Sequence, residues 1–462
     1  MINRRQLLGA ALAPAMRLRA ADERPPNIIF ILTDDLGWGD LGCYGNPFIP
    51  TPNLDRLAKQ GTQFTQFYVA NPVCSPSRTA FLSGHFPARH RIHGHLAAVE
   101  QNAARGMPNW LDPNVPMLPR QLRKAGYATA HFGKWHLGSG PGAPLPSAYG
   151  FDVHRGINAN GASWEQDEHF RARSTGVFID SALDFIGKNR QRPFYVNLWT
   201  LLPHAPLNPY DEEMKPFRRF GPQEAAKFTG ARTVYYASVA ALDRDVGRLF
   251  TKLDEMGLAD NTLVLFSSDN GPEEIFIGNA AHSGVGSPGP FRGRKRSLYE
   301  GGVRVPFLAR WPGRVPAGRV DSTSVLGAVD FLPTLTRLAG ASMPADANPD
   351  GEDRGEALRG GAGQRGKPLF WEWRFRIAGH VNNISPILSI RDGDWKLMVN
   401  PDRSRVELYN IPRDPMEVQN LAPFEPKIVE RLIPKLLAWG KTLPPGPFDQ
   451  DAGKNGYPWP KM

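Results

Sequence analysis

Cysteine is scarce in this chain, whose 462 residues include only Cys43 and Cys74. Two cysteines cannot form the disulfide framework on which small secreted domains depend, so a hydrophobic core must stabilise the fold. Internal repeats and apolar runs long enough to cross a bilayer are also absent, which argues against a solenoid and against stable membrane insertion. With 41% hydrophobic and 22% charged residues, the chain has the composition of a globular protein.

Excess negative charge is missing too, because the net charge is +10. The first 21 residues hold four arginines and no acid, which leaves +6 for the rest of the chain. The remaining positive charge is not clustered into a stripe, so we expect no nucleic-acid partner. A mild positive excess instead favours anionic small molecules or anionic polymers as ligands.

The beginning of the chain has the pattern of an export signal. Arg4 and Arg5 precede a short apolar segment, and Ala20 and Ala21 are small residues suitable for cleavage. Twin arginines before an apolar segment are typical of Tat-type signals. We therefore expect residues 1–21 to be a Tat-like signal and the protein to be periplasmic or extracellular. A basic tail without a targeting role is the alternative.

Four continuous apolar runs predict strands that are buried on both faces, at residues 28–32, 128–132, 194–199 and 263–266. Helical patterns at residues 54–60 and 234–256 lie between them, and each ends before a glycine. Such alternation of strands and helices predicts a doubly wound α/β sheet flanked by helices. We expect this large domain to span residues 25–345.

A change of composition near residue 340 predicts a second, smaller domain. Residues 341–368 are rich in Gly, Pro, Asp and Arg, as is typical of a linker. Short strands are then predicted at 369–373, 387–391, 395–399 and 406–409, with a hairpin turn at 392–394. A final helix at 426–438 is expected to stop before Gly440. We place this small antiparallel α+β domain at residues 365–462.

Polar residues follow each of the four predicted strands of the large domain. Because the carboxyl ends of parallel strands meet at one edge of a sheet, we expect these residues to lie together. In chain order they are Asp34, Asp35, Lys134, His136, His204, Asp269 and Asn270.

The acidic members of this set suit a metal ion. Asp34, Asp35, Asp269 and Asn270 supply only oxygen donors, which Ca²⁺ and Mg²⁺ prefer, whereas zinc favours His or Cys. Adjacent carboxylates would repel each other without a cation, so a divalent ion is a sensible partner. The alternative is that both segments are ordinary turns or helix caps.

The cationic and imidazole side chains suit an anionic substrate. Lys134 and His136 are two residues apart and would project the same way if the segment stays extended. His204 lies between Pro203 and Pro206, which would hold it in a rigid loop, as befits an acid that protonates a leaving group. Each of these residues taken alone is equally compatible with a structural role.

Cys74 lies in the stretch Asn71-Pro72-Val73-Cys74-Ser75-Pro76-Ser77-Arg78, just before a short helix that Gly84 ends. Backbone N–H groups at a helix amino end attract anions, and Arg78 adds a planar cationic donor about one turn later. A thiolate nucleophile fits this setting, yet a cysteine hydrolase with purely oxygen metal ligands would be unusual. Spacing alone therefore leaves the role of Cys74 open.

The five residues 74–78 resemble the C-x-P-S-R signature of the type I sulfatase family, which belongs to the alkaline-phosphatase-like superfamily. Further family segments occur in order at residues 33–40, 133–138, 203–206, 268–271, 295–302 and 393–397. The resemblance extends over most of the chain and is closest to arylsulfatases and carbohydrate sulfatases. It implies an alkaline-phosphatase-like fold, a large mixed sheet with a smaller C-terminal sheet domain.

The resemblance also implies roles for individual residues. A formylglycine-generating maturation enzyme would oxidise Cys74 to Cα-formylglycine, which is an aldehyde present as its hydrate. One Ca²⁺ ion, or Mg²⁺ in its place, would be held by Asp34, Asp35, Asp269, Asn270 and the modified Cys74. Arg78 would stabilise the hydrate, and Lys134, His136 and Lys295 would bind the sulfate oxygens. His204, helped by Lys295, would protonate the departing alcohol, with Arg294 and Arg296 as alternatives to Lys295.

These implications predict a sulfuric ester hydrolase acting on a sulfated carbohydrate or an aryl sulfate. Related formylglycine enzymes act on phosphodiesters and phosphonate monoesters, which makes that activity an alternative. A sulfated-glycan binding protein that is never matured is a second alternative. Candidate residues for a carbohydrate pocket are Arg91, His93, His95, Trp110, Trp164, Trp371, Trp373 and Arg374. Cys43 is expected to be a small buried filler.

Overall fold

A computed structural model describes residues 24–157, 167, 169–221, 230–275, 277 and 282–455. The predicted export signal and Trp164 lie outside this range. In the described part of the chain, no helix is long and apolar enough to span a membrane.

The strands in the described residues are β1 (Asn27–Thr33), β2 (Thr62–Tyr68), β3 (Ala128–Lys134), β4 (Val153–Ile157), β5 (Phe194–Trp199), β6 (Thr262–Ser268), β7 (Arg304–Arg310), β8 (Arg319–Asp321), β9 (Leu326–Gly327), β10 (Leu369–Glu372), β11 (Leu388–Asp392), β12 (Trp395–Val399) and β13 (Glu407–Asn410). The α-helices there are α1 (Pro52–Gln60), α2 (Cys74–Ser83), α3 (Val99–Ala104), α4 (Leu118–Lys124), α5 (Phe170–Lys188), α6 (Asp211–Met214), α7 (Ala231–Glu255), α8 (Glu300–Val303), α9 (Phe331–Leu338), α10 (Gly355–Leu358) and α11 (Pro426–Thr442).

Nine strands form one mixed sheet in the order β4-β3-β5-β1-β6-β7-β2-β8, with β9 paired to β2. Five neighbouring strands of this sheet, β4, β3, β5, β1 and β6, are mutually parallel. Strand β7 runs antiparallel to both β6 and β2. This confirms the predicted large mixed sheet. The apolar runs do not predict β2, β4 or β7. Polar residues interrupt β2 and β4, and β7 begins and ends with arginine and contains Pro306.

The main sheet is buried on both faces, as its continuous apolar strands predict. In β1, Ile28, Phe30 and Leu32 pack into the hydrophobic core on one face, while Ile29 and Ile31 pack into the core on the other. Residues of α2, α4 and α9 belong to the first core, and residues of α1, α5 and α7 belong to the second. Because both faces are covered, the carboxyl edge of the parallel strands is where polar side chains gather.

The C-terminal strands form a separate antiparallel sheet in the order β10-β11-β12-β13. Gly393 lies in the two-residue turn between β11 and β12 with a φ of 62°, a left-handed conformation that favours glycine. Leu432 and Leu436 of α11 pack on one face of this sheet with Ile390 and Leu397. The predicted small α+β arrangement is thus present.

Helix α11 is longer than the sequence predicts, because it continues through Gly440 to Thr442. The glycine is not a cap here. A Cβ atom on Gly440 would lie 3.1 Å from Leu388 Cδ1, so the missing side chain lets the helix lie close to β11. Pro434 also lies inside the helix.

A buried ionic cluster joins the two sheets. Lys396 of β12 is fully buried, and its Nζ atom lies 2.9 Å from Glu300 Oε1 and 2.9 Å from Glu417 Oε1. Glu300 begins α8, and its Oε2 atom accepts a hydrogen bond from Tyr68 of β2 at 2.6 Å. The ammonium group of Lys396 therefore compensates two buried carboxylates. One of them, Glu300, is also hydrogen-bonded to a strand of the large sheet, so the cluster connects the two sheets.

We expect Lys396→Met to lower the free energy of unfolding by about 3–5 kcal/mol, because buried Glu417 would lose its counter-charge and Glu300 would keep only its pair with Arg304. Urea unfolding measures this loss. The matched control is Lys435→Met, which breaks the exposed pair with Asp392 and should cost less than about 1 kcal/mol. Equal losses in the two variants would contradict the structural role given to Lys396.

Candidate active site

The acidic residues that follow β1 and β6 come together because the two strands pair in register, Thr33 beside Ser268. Asp34, Asp35, Asp269 and Asn270 are all fully buried. The Asp35 backbone N–H donates to Asp269 Oδ1 at 3.2 Å, and Asn270 Nδ2 donates to Asp35 Oδ1 at 2.7 Å. Three carboxylates and an amide thus share one small volume at the carboxyl edge of the sheet.

Helix α2 brings Cys74 to these acids. Val73 is extended and Cys74 is the first helical residue, 3% exposed. The Ser77 hydroxyl donates to the Asn71 carbonyl at 2.6 Å, which ties the first turn to the preceding loop. Cys74 Sγ and carboxylate oxygens of Asp34 and Asp269 all lie within 4.8 Å of one another.

Arg78, one turn into α2, links three parts of the site. Its Nε and Nη2 atoms donate to Asp269 Oδ2 at 2.9 and 2.6 Å, and Nη1 donates to the Lys134 carbonyl at 2.7 Å. The guanidinium also lies 5.2 Å from the ring centroid of Trp199, at the end of β5. Arg78 is fully buried, so these contacts replace all of its hydration.

Two lysines complete the cluster. Lys134 Nζ lies 2.7 Å from Asp34 Oδ2. Lys295 Nζ lies 2.8 Å from each Asp35 oxygen and 3.2 Å from Glu273 Oε2. The neighbours of Lys295 have other partners, since Arg294 donates to backbone carbonyls and Arg296 pairs with Glu273. Lys295 is thus the member of this basic run that meets Asp35.

The extended segment on which the shared direction of Lys134 and His136 depended is not present. The chain turns after β3, and His136 has a φ of 54°. While Lys134 points to Asp34, His136 Nε2 lies 3.0 Å from the Leu96 carbonyl. His136 Nδ1 is buried and has no hydrogen-bond partner among the described residues. The ring is therefore anchored to the loop before α3 with its second nitrogen still available.

His204 lies beside Asp35. Its Nε2 atom is 3.6 Å from Asp35 Oδ2, and its Nδ1 atom is 2.6 Å from the Ala205 carbonyl. Burial lowers the pKa of His204 to about 4, although Asp35 opposes this shift. Burial likewise lowers the pKa of His136, and the charges of Lys134 and Arg78 add to the effect.

The pKa values of Asp34 and Asp269 are shifted in opposite directions. Burial raises the pKa of Asp34, but Lys134, His204 and Arg78 outweigh it and hold that pKa well below its usual range. For Asp269, burial and the neighbouring charge of Asp34 raise the pKa well above its usual value despite Arg78. One negative charge in this pair thus lacks full compensation from the protein.

The donor set fits a hard divalent cation. Asp34 Oδ1 and Asn270 Oδ1 are buried without a hydrogen-bond partner among the described residues, which is costly unless something else satisfies them. Both are oxygen donors, as are Asp35 and Asp269. The uncompensated carboxylate charge and the two orphaned oxygens are what such an ion would satisfy.

Sequence reasoning missed Glu273, which stands four residues after Asp269 and pairs with both Lys295 and Arg296. The signal in the sequence that could have identified Glu273 is that its carboxylate follows Asp269 and Asn270 in the same loop. Burial raises the pKa of Glu273, but these two cations outweigh it and lower that pKa below its usual range. Glu273 thereby fixes the side chain of Lys295 beside Asp35.

The predicted carbohydrate-binding residues separate into two groups. Trp371 and Trp373 are buried in the core, so they do not offer a stacking face. His93 and Arg374 are buried as well and both pair with Glu372. Arg91, His95 and Trp110 remain partly or fully exposed. Cys43 packs against the second core, as expected of a filler, but it is only partly buried.

Family models match most of the chain. One described as Sulfatase matches residues 26–341, and one described as N-sulphoglucosamine sulphohydrolase, C-terminal, matches residues 291–438.

Curated relatives are similar over most of their length. The chain is 37% identical to N-acetylgalactosamine-6-sulfatase of Canis lupus familiaris over 399 residues, which cover 79% of this chain and 70% of the relative. It is 34% identical to arylsulfatase A of Homo sapiens, covering 84% of this chain and 77% of the relative.

Solved structures share the fold. The structure of Ps i-CgsB in complex with k-i-k-neocarrahexaose has a TM-score of 0.77 and 28% identity, covering 91% of this chain and 94% of that one. The PsFucS1 sulfatase from Pseudoalteromonas sp. has a TM-score of 0.73 and 25% identity, covering 92% of each chain.

Proposed function

The chain belongs to the sulfatase family of the alkaline-phosphatase-like superfamily and is a sulfuric ester hydrolase; we propose that it releases inorganic sulfate from a sulfated carbohydrate through a formylglycine at position 74. The observation that carries this proposal is the position of Cys74. It begins α2, with its Sγ atom within 4.8 Å of oxygens of Asp34 and Asp269. An aryl sulfate is the alternative substrate.

A formylglycine at position 74 would be present as a hydrate with two hydroxyl groups. Asp269 accepts the proton of the first hydroxyl, and that oxygen attacks sulfur while the bond from sulfur to the alcohol oxygen breaks. Arg78 stabilises the hydrate, since it lies one helical turn from residue 74. Lys134, His136 and Lys295 bind the sulfate oxygens as negative charge shifts between them.

His204 gives a proton to the departing alcohol oxygen. Burial lowers the pKa of this imidazole to about 4 in the free site, and the negative charge of a bound sulfate ester favours the protonated form. Lys295 assists this proton transfer, because its charge offsets that of Asp35, which would otherwise hold the proton on His204.

Release of sulfate needs the second hydroxyl. The neutral His204 takes its proton, the aldehyde carbonyl re-forms, and the bond between carbon and the sulfate oxygen breaks. Water then restores the hydrate, and the proton on Asp269 returns to solvent. A serine at position 74 has no second hydroxyl, so its sulfate ester would remain attached.

We assign the metal site to Asp34, Asp35, Asp269, Asn270 and residue 74, with Ca²⁺ as the ion and Mg²⁺ as the alternative. The ion would supply positive charge that makes the attacking hydroxyl more acidic. Support comes from the all-oxygen protein donors and from the two orphaned oxygens, Asp34 Oδ1 and Asn270 Oδ1.

A carbohydrate substrate is supported by what the relatives do. One is an N-acetylgalactosamine-6-sulfatase, and one solved structure holds k-i-k-neocarrahexaose. The twin-arginine pattern of residues 1–21 supports export to the periplasm or beyond, where sulfated glycans are met. Maturation at Cys74 requires a formylglycine-generating enzyme as a partner. We further assign residues 25–345 to the catalytic domain and 365–462 to the small domain.

Calcium should stabilise the protein, because an ion that binds only the folded state adds to its stability. After chelator treatment, Ca²⁺ at 100 times its dissociation constant should add about 2.7 kcal/mol, seen as a rise in melting temperature. Asp269→Asn should remove this rise, whereas Asp184→Asn on the exposed face of α5 should keep it. A rise of the same size in both variants would disprove the assigned site.

Matured protein should release sulfate from sulfated saccharides or aryl sulfates over many turnovers. We expect Cys74→Ser to lose multiple turnover and to accumulate protein with a covalently attached sulfate, detected by intact-mass analysis. Cys43→Ser is the matched control and should retain activity, since Cys43 is packed against the second core. The proposal fails if Cys74→Ser turns over repeatedly, or if aryl phosphodiesters are preferred to sulfates.

The role of His204 predicts a dependence on the leaving group. His204→Ala should lower kcat/KM for carbohydrate sulfates by about 10²–10⁴-fold, because their alcohols need a proton to depart. The loss should be much smaller for 4-nitrophenyl sulfate, whose phenolate leaves unaided. His154→Ala on β4 serves as the control. An equal loss on both substrates would rule out proton donation by His204.

A further inference from the structure

One wall of the site is built from two segments that meet beside His136. The first is the loop that carries His95 and leads into α3, and its Leu96 carbonyl lies 3.0 Å from His136 Nε2. The second follows β10 and contains Phe375. Gly94 allows the two to approach closely, since a Cβ atom there would lie 2.9 Å from Phe375 Cε2. A substrate bound at residue 74 would extend along this wall.

Arg105, at the end of α3, lies in this wall without a carboxylate partner. Its Nη1 atom donates to the His95 carbonyl at 3.4 Å, and its guanidinium lies 5.5 Å from the Phe375 ring centroid. In the described part of the chain, no carboxylate oxygen lies within 4.0 Å of the Arg105 guanidinium nitrogens. Burial lowers the pKa of Arg105, and the more distant carboxylate of Asp449 opposes this shift without forming an ion pair. Arg78, Lys134, Lys295 and Arg296 differ in this respect, because each pairs with an acid.

His95 lies between Arg105 and the cations of the site. Burial lowers the pKa of His95 to about 2, and the charges of His136, Arg105, Lys295 and Arg296 add to this effect. The imidazole is therefore neutral at neutral pH and can donate one hydrogen bond. His95 thus has positive charge near it from Arg105 and from the site cations, and the exposed Asp449 near Arg105 forms no ion pair that would cancel it. Such an environment attracts an anion.

Buried contacts hold this wall in register with residue 74. Glu372 Oε2 lies 2.8 Å from His93 Nδ1, which stands two residues before His95. The same side chain pairs with Arg374, next to Phe375. The Glu372 carbonyl accepts a hydrogen bond from Asn71 Nδ2 at 3.1 Å, three residues before Cys74. Buried contacts of Glu372 thus connect both wall segments to the loop that precedes Cys74.

We propose that Arg105 and His95 form a second anion subsite, which binds a carboxylate or a second sulfate on the same sulfated glycan. The inference rests on the proposed function, because it places the scissile sulfate at residue 74. Arg105 supplies charge and two or more N–H donors, His95 supplies one neutral donor, and Phe375 holds the guanidinium plane. The enzyme would accordingly prefer substrates with two negative groups over those with one.

Three probes separate the two sources of the second charge. N-acetylgalactosamine 6-sulfate carries one anion, its 4,6-disulfate adds a sulfate, and the disaccharide with an attached glucuronate adds a carboxylate. We expect at least one dianionic probe to bind about tenfold more tightly than the monoanionic one, from one charge-assisted hydrogen-bonded contact. Calorimetry with the Cys74→Ala protein measures binding without turnover, and kcat/KM is measured with the matured enzyme.

Arg105→Gln should reduce the tenfold preference to about twofold, whereas Arg105→Lys should keep most of it because the charge remains. Arg337→Gln is the control, since that arginine is 80% exposed on α9 and pairs with Asp353. His95→Ala should reduce the preference in the same direction as Arg105→Gln. Equal weakening of all three probes by Arg105→Gln, or no preference in the parent protein, would overturn the subsite.

The two proposals fail in different ways. If the preference depends on Arg105 in calorimetry but no sulfate ester is hydrolysed, the subsite stands and the proposed function fails. If sulfate is released from the probes and Arg105→Gln leaves their ratio unchanged, the function stands and the subsite fails.

Discussion

Charge compensation without water is the constraint on which this structure depends. Asp34, Asp35 and Asp269 are fully buried, and a buried carboxylate is tolerated only when cations and hydrogen bonds replace its hydration. Each aspartate meets a cation from a different part of the chain, Lys134 at the end of β3, Lys295 before α8 and Arg78 in α2. Compensation of the three carboxylates therefore requires both this strand order and this position of α2.

Close backbone approach is the second requirement of this arrangement. Gly133 has a φ of 118°, and a Cβ atom there would lie 1.7 Å from the Trp199 carbonyl oxygen. Only glycine fits between the ends of β3 and β5 at this point, directly before Lys134. The contact lets Lys134 reach Asp34 while its own carbonyl accepts from Arg78. A local backbone feature thus sets the geometry of the charged cluster.

The small C-terminal sheet contributes to the site as well as to stability. Lys396 ties it to Glu300 of the large domain through a buried ion pair. At the end of β10, Glu372 connects the sheet to Asn71 and to the loop that bears His95. The loop that bears His95 therefore depends on contacts with the C-terminal sheet, which is why residues beyond 370 matter for the reaction proposed at residue 74.

Local pattern was sufficient for β1, β3, β5 and β6, for the residues that follow them and for the 74–78 signature, because these features depend on neighbours in the chain. It failed where a distant contact decides the outcome. The chain turns at His136, whose ring contacts the Leu96 carbonyl, α11 continues through Gly440 to pack on Leu388, and Glu273 pairs with Lys295 and Arg296. The residue types of the site were thus readable from the sequence alone, whereas their pairing was not. Only the tertiary structure selects Lys295 over its basic neighbours and leaves Arg105 without an ion pair, since burial and charge balance depend on all the elements that meet at the site.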